Sequence, residues 1–236
     1  MTDPLVVLPG FMADARGFLP QIVHLGVDRP VILRLPTGGE SVEHIAQGLL
    51  PHLPPRFALL GHGLGGDVAI DILRRLPDRV SRIALVSTDP LPEPPNVAAA
   101  REPRLVAARA GRLAEAMRGE VPETALAATE WRIEVLALVQ DMAAGLGLDT
   151  YLRQTRAMQR RPDQQRTLRN VRVPALMIAG AADTLVPPRR QDFMAGLMPF
   201  GRLVVIEGAG HLPQLEQPEA VSAALRDFLA GPLFLR

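Results

Sequence analysis

At 236 residues, with 47% hydrophobic and 22% charged side chains, the chain suits one domain, or one domain carrying an insertion, around a sizeable core. Lys and Arg total 26 against 25 Asp and Glu, and a formal net charge of +1 argues against a nucleic-acid-binding surface as the main purpose. There is no cysteine, which excludes disulfides, thiolate metal sites and a cysteine nucleophile. No apolar run approaches bilayer-spanning length, and no basic stretch precedes the first apolar residues, so the expectation is a cytoplasmic protein with no membrane and no nucleic-acid partner.

Taken in order, Leu5, Val6, Val7 and Leu8 form a short run that is apolar throughout, as in a strand buried on both faces of a parallel sheet. The turn signal Pro9-Gly10 stops it, and Phe11 and Met12 follow. A second strand is predicted over 31–35. Ser41 then caps a helix through Ile45 and Leu49 that ends near Pro51. The third strand is 57–60, a helix is expected over 64–76, and a fourth strand over 82–87. Strands alternating with helices of this length imply right-handed βαβ units and a parallel sheet.

The rhythm breaks after Ser87. A proline-rich link over 89–95 leads into a helical stretch from Val97 to about Arg160, with periodic apolar positions at Leu105, Ala108 and Leu113, and again at Ile133, Leu136 and Met142. Gly119 to Pro122 and Gly145 to Gly147 divide it into shorter helices. Alternation then resumes with a strand over 174–180, a helix over 189–198, a strand over 202–206 and a last helix over 218–229. The chain therefore reads as a core of residues 1–90 and 171–236, interrupted by an all-helical cap of residues 91–170.

Three turns at strand ends carry the chemistry. Gly61-x-Gly63-x-Gly65 follows the third strand and opens a helix, which is the frame of a nucleophile elbow with glycine at its centre. Asp183 follows the fifth strand and His211 follows the sixth. An acid that orients imidazole, and imidazole that acts as a general base, is the logic of hydrolytic triads, and the order elbow, Asp, His is that of α/β-hydrolases. The same window also fits the dinucleotide fingerprint Gly61-x-Gly63-x-x-Gly66, with Asp89 after the next strand as a ribose-binding acid. An oxidoreductase reading then leaves Asp183, His211 and the first turn without a role.

On Leu8-Pro-Gly-Phe11, Gly61-His-Gly-Leu-Gly-Gly66, Gly180-Ala-Ala-Asp-Thr-Leu-Val-Pro187 and Gly208-Ala-Gly-His-Leu-Pro-Gln-Leu-Glu-Gln-Pro218, the chain resembles the α/β-hydrolase fold superfamily over essentially its whole length. It is most similar to the short-capped bacterial esterase and enol-lactonase branch. The resemblance implies a mostly parallel sheet of about six strands flanked by helices, with a small helical cap after the fourth strand. It implies His211 as general base, Asp183 as its orienting acid, and the backbone N–H groups of Phe11 and Leu64 as the oxyanion hole. Gly63 falls at the nucleophile position, usually serine. The expected substrate is a small carboxylic ester or lactone, with no cofactor and no metal.

Met12, His62 and Trp131 are the candidates to line the pocket, although His62 also suits packing beside the elbow and Trp131 a place in the cap core. Asp67, one turn into the elbow helix, reads as a dipole-compensating residue. Gly63 has two accounts. Either this chain is an inactivated version of a serine hydrolase, or glycine is native and the protein binds its ligand or uses His211 to activate water or deprotonate a substrate. Backbone physics fits both, because glycine tolerates the positive φ of an elbow at no cost.

Overall fold

The computed structural model describes residues 2–233. Strands β1 (Leu5–Leu8), β2 (Val31–Leu33), β3 (Phe57–His62), β4 (Val80–Val86), β5 (Ala175–Gly180) and β6 (Gly201–Ile206) form one sheet in the order β2-β1-β3-β4-β5-β6. Every pairing is parallel. All residues of β1, β3, β4 and β5 are buried, whereas the edge strands β2 and β6 are mostly half-buried, which explains why the central runs are apolar without alternation.

All six strands expected from the sequence are present, with shifted ends. β3 runs two residues further than expected, because Gly61 and His62 still pair with Leu85 and Val86. β2 stops at Leu33, two residues early.

The helices are α1 (Leu19–Gly26), α2 (Val42–Leu49), α3 (Leu64–Arg75), α4 (Pro95–Ala100), α5 (Glu102–Arg109), α6 (Leu113–Glu120), α7 (Arg132–Gln159), α8 (Gln165–Arg169), α9 (Pro188–Leu197), α10 (Pro213–Glu216) and α11 (Pro218–Ala230). Ser41 caps α2 as expected, its hydroxyl accepting from the His44 N–H at 3.2 Å. The sequence reading has no counterpart of α1. Its buried positions are Gln21 and Leu25, while Leu19 and Val23 face outward, so no apolar stripe marks it.

Between β4 and β5 the chain is helical, as expected of a cap. Its buried side chains, among them Leu105, Met117, Val135, Val139, Met142 and Tyr151, cluster with Met12 and Leu212 from two loops of the core. The break expected at Gly145 to Gly147 is present: Gly147 has a non-helical backbone (φ 77°, ψ 176°), so α7 is two helices that meet at a kink. Ile133, expected on the buried face, is 75% exposed, because α7 turns Val135, Val139 and Met142 inward instead.

In this strand order the chain reverses direction across the sheet between β1 and β3. Ligands of open α/β sheets bind outside the carboxyl ends of the strands at such a reversal.

Candidate active site

β3 delivers the chain to Gly63, whose backbone has φ 48° and ψ −118°, and α3 starts at the next residue. The Gly63 N–H donates to Val86 O at 3.1 Å, which fixes the turn against β4. The flanking glycines are required by space: a Cβ on Gly61 would lie 2.5 Å from Gly65 O, and one on Gly65 would lie 2.1 Å from Leu8 O. A Cβ on Gly63 would meet nothing within 4 Å. The elbow thus needs glycine around its centre for packing, while the centre itself opens into room for a side chain.

His211 is held from several directions. Its Nδ1 lies 3.0 and 3.2 Å from the two carboxylate oxygens of Asp183. Asp183 Oδ1 also accepts the N–H groups of Leu185 and Val186, each at 2.9 Å, and its side chain is fully buried. Burial alone would raise the Asp183 pKa, but the facing imidazole and these hydrogen bonds hold it below the ordinary carboxylate value. An ionised Asp183 fixes the tautomer with hydrogen on Nδ1 and leaves Nε2 as the basic nitrogen.

The loop itself is tied by the His211 N–H donating to Ala125 O at 2.8 Å, and by Glu216. This buried carboxylate accepts the N–H groups of Ala127 (2.7 Å), Gly210 (2.9 Å) and Leu212 (2.9 Å). The sequence reading gave Glu216 no role, although it lies within the motif that follows His211.

His62 lies 4% exposed beside the elbow, its Nε2 within 3.0 Å of His211 O and its ring 5.1 Å from the His211 ring. Burial, with the neighbouring His211, pushes its pKa down to about 3, so the ring is a neutral donor to the His211 carbonyl. It is placed to position the loop.

The first turn meets the elbow from the other side. Leu8 pairs with Gly61, and the close approach of Gly65 to Leu8 O and Pro9 O presses the start of α3 against it. Neither Phe11 N–H nor Leu64 N–H donates to an acceptor among the described residues. The Phe11 ring packs edge-on to Tyr151 at 5.6 Å and lies under the Arg101 guanidinium at 5.9 Å. Arg101 in turn pairs with Glu93 and Glu120, and the Tyr151 hydroxyl donates to Glu120 at 3.0 Å. Nothing in the spacing of these four residues announced that they meet.

Of the remaining expectations, Met12 is buried in the cap cluster at a φ of 50°. Trp131 is 60% exposed at the start of α7, outside the cap core, because α7 begins at the surface. Asp67 is not the solvated, freely ionised dipole partner expected at its position. It is 1% exposed, neither carboxylate oxygen has a hydrogen-bond partner, and burial pushes its pKa up to about 7.

The dinucleotide alternative loses its parts. A Cβ on Gly66 would strike Thr88 and one on Gly65 would strike Leu8 O, so these glycines serve packing rather than a phosphate cradle. Asp89 is engaged by the Leu91 N–H (3.1 Å) and faces Arg161 and Arg190. Among the described residues no group of three or more His, Asp or Glu is arranged to hold a metal. A cavity of about 590 Å³ between Leu73, Asp78, Arg166 and Val173 lies beyond the far end of α3 and shares no residue with this site.

A parallel sheet with a histidine, an acid and an elbow at its carboxyl edge, beneath a helical cap, defines the class of hydrolase folds built for triads. Residues 5–224 match the alpha/beta hydrolase family, and the chain belongs to it. A pimeloyl-[acyl-carrier protein] methyl ester esterase of Aromatoleum aromaticum is 31% identical over 216 residues, covering 83% of each chain. The enzyme of the same name from Edwardsiella ictaluri is 30% identical over 96% of this chain and 93% of its own. Among solved structures, a thermophilic esterase from Thermogutta terrifontis superposes with a TM-score of 0.87 at 27% identity, covering 96% of this chain and 89% of its own.

Proposed function

We propose that this chain binds a small carboxylic ester or lactone at Gly63, and that His211 acts on water there as a general base, oriented by Asp183. Its esterase relatives support the reaction class. The observation that supports the site most is the His211–Asp183 pair, together with Phe11 and Leu64 N–H groups that carry no internal bond and an elbow whose central residue leaves its side-chain direction open. With glycine at the centre no acyl-enzyme forms, so water must attack the carbonyl itself. The two N–H groups stabilise the oxyanion that develops, and His211 passes the proton to the leaving alkoxide.

The cap, residues 91–170 over a core of 1–90 and 171–236, supplies the apolar walls, with Met12, His62 and Trp131 as pocket candidates. The expected partner is a small-molecule substrate in the cytoplasm, with no cofactor. No described helix is long and apolar enough to cross a membrane.

The test is hydrolysis of p-nitrophenyl butyrate and of a methyl ester, suggested by the relatives' names. The unaltered chain should give a slow, burst-free rate that His211→Ala lowers to the acceleration of about 10³–10⁴ over water that oxyanion stabilisation and binding alone supply. Gly63→Ser should raise kcat by about 10³-fold or more and introduce an acyl-enzyme burst. A folded Gly63→Ser protein with no gain in rate overturns the ester reading. Ligand binding without any turnover in the unaltered chain leaves a binding role in place of the slow hydrolysis.

A further inference from the structure

We propose that Gln154, on the cap helix α7, is a positioning residue for the oxyanion hole, locking the turn that aims the Phe11 N–H at the elbow. The proposal rests on the ester reading of the site. Gln154 is fully buried, and its Oε1 accepts the Met12 N–H at 2.7 Å across 142 positions of sequence. Its Nε2 donates to Pro36 O at 3.0 Å. With an N–H on one side and a carbonyl on the other, only one orientation of the side-chain amide satisfies both neighbours. Gln154 therefore joins three segments: the cap helix, the turn after β1 and the loop after β2.

What it holds is a strained turn. The Ala13 N–H donates to Gly10 O at 3.3 Å, closing a turn with Phe11 and Met12 at its centre. Met12 has a φ of 50° at the third position of that turn, where glycine or asparagine is usual. A planar trans peptide points its C=O and its N–H in opposite directions. Because Gly10 O faces inward to Ala13, the Phe11 N–H of the same peptide faces outward, where it carries no internal bond. Releasing Met12 from Gln154 lets its φ relax and the turn reopen, and the Phe11 N–H swings with it. The Arg101 and Tyr151 contacts hold the Phe11 ring, but they do not fix its peptide plane. Gln154 lies beyond the Gly147 kink, so it is the second half of α7 that supplies this support to the turn.

The experiment compares the unaltered chain with Gln154→Met, which keeps the shape and loses both hydrogen bonds, and with Gln154→Glu at pH 5, whose neutral carboxyl can accept from Met12 and donate to Pro36. Amide exchange is followed residue by residue, and affinity is measured by calorimetry for methyl butylphosphonate, a tetrahedral anion, and for the neutral N-methylbutyramide. In Gln154→Met, Met12 exchange should rise about 100-fold while amides of β3 to β5 keep their protection. Phosphonate affinity should fall about tenfold, with amide affinity unchanged, since a hydrogen bond to charge is lost. Gln154→Glu should restore both.

Unchanged Met12 protection in Gln154→Met, or an equal fall in affinity for both ligands, overturns the proposal, as does a Gln154→Glu protein that behaves like Gln154→Met. If the unaltered chain binds neither ligand, the ester reading fails by itself, and the exchange of Met12 still decides whether Gln154 holds the turn.

Discussion

Asp67 and His62 lie on the two sides of the elbow, and burial drives both toward neutrality, which gives the protein two opposed pH dependences. Asp67 has its pKa raised from 3.8 to about 7, so the folded state binds a proton that the unfolded state releases. Its contribution falls from about pH 4 to pH 7 and then stays constant. At about 1.4 kcal/mol per pKa unit, the ionised form costs about 4 kcal/mol at pH 8 and below about 1 kcal/mol at pH 4. His62 has its pKa lowered from 6.5 to about 3, so its contribution is complete above pH 6.5 and is lost as pH falls toward 3.

Between pH 4 and 6.5 the two slopes cancel in the unaltered chain. Asp67→Asn removes one of them while keeping the size of the side chain. The variant should gain about 4 kcal/mol over the unaltered chain at pH 8 and under about 1 kcal/mol at pH 4. Its own stability should rise by about 1.4 kcal/mol per pH unit between 4 and 6.5, where His62 now acts unopposed. Urea denaturation followed by circular dichroism across this range measures both, without the charge screening that guanidinium salt introduces. An equal difference at pH 4 and pH 8, or a loss of stability at pH 8, refutes the account of Asp67 as a carboxyl held neutral by burial.

Two further outcomes follow from the packing of the site loops. Gly65→Ala places a Cβ 2.1 Å from Leu8 O, backbone against backbone, and should cost about 3 kcal/mol or more, whereas Gly63→Ala, with nothing within 4 Å, should cost only the 1–2 kcal/mol or so of its positive φ. Thermal melts of the pair check this, and equal losses contradict the separation of packing glycines from the open centre. Glu216→Gln turns one amide N–H toward a backbone N–H now bonded to the carboxylate, and should cost about 2–4 kcal/mol and depress the His211-dependent rate. Full activity in that variant would show that the His211 loop holds its shape without Glu216.

The sequence by itself determined the strands, and their ends to within about two residues. Leu5–Leu8, Phe57–His62 and Ala175–Gly180 are apolar runs closed by glycine or proline, and a parallel sheet buried on both faces has no alternative use for them. The same local grammar located Gly63, Asp183 and His211, because each stands just past a strand end, within a few residues of its turn. Only the tertiary structure decided what the sequence spreads far apart. Gln154 reaches Met12 across 142 positions, and Tyr151 reaches Glu120 across 31, and no periodicity records such pairings.

The structure also reversed local readings that depend on burial. Asp67 looks like a dipole partner from its place in the helix, and Trp131 looks like cap core from its type. Whether a side chain meets water or protein is settled by the elements that pack over it. At the elbow the structure sharpened the residue choice that the sequence posed: space demands glycine at Gly61 and Gly65, and demands nothing of Gly63. What favours glycine at that centre is its positive φ, not its surroundings.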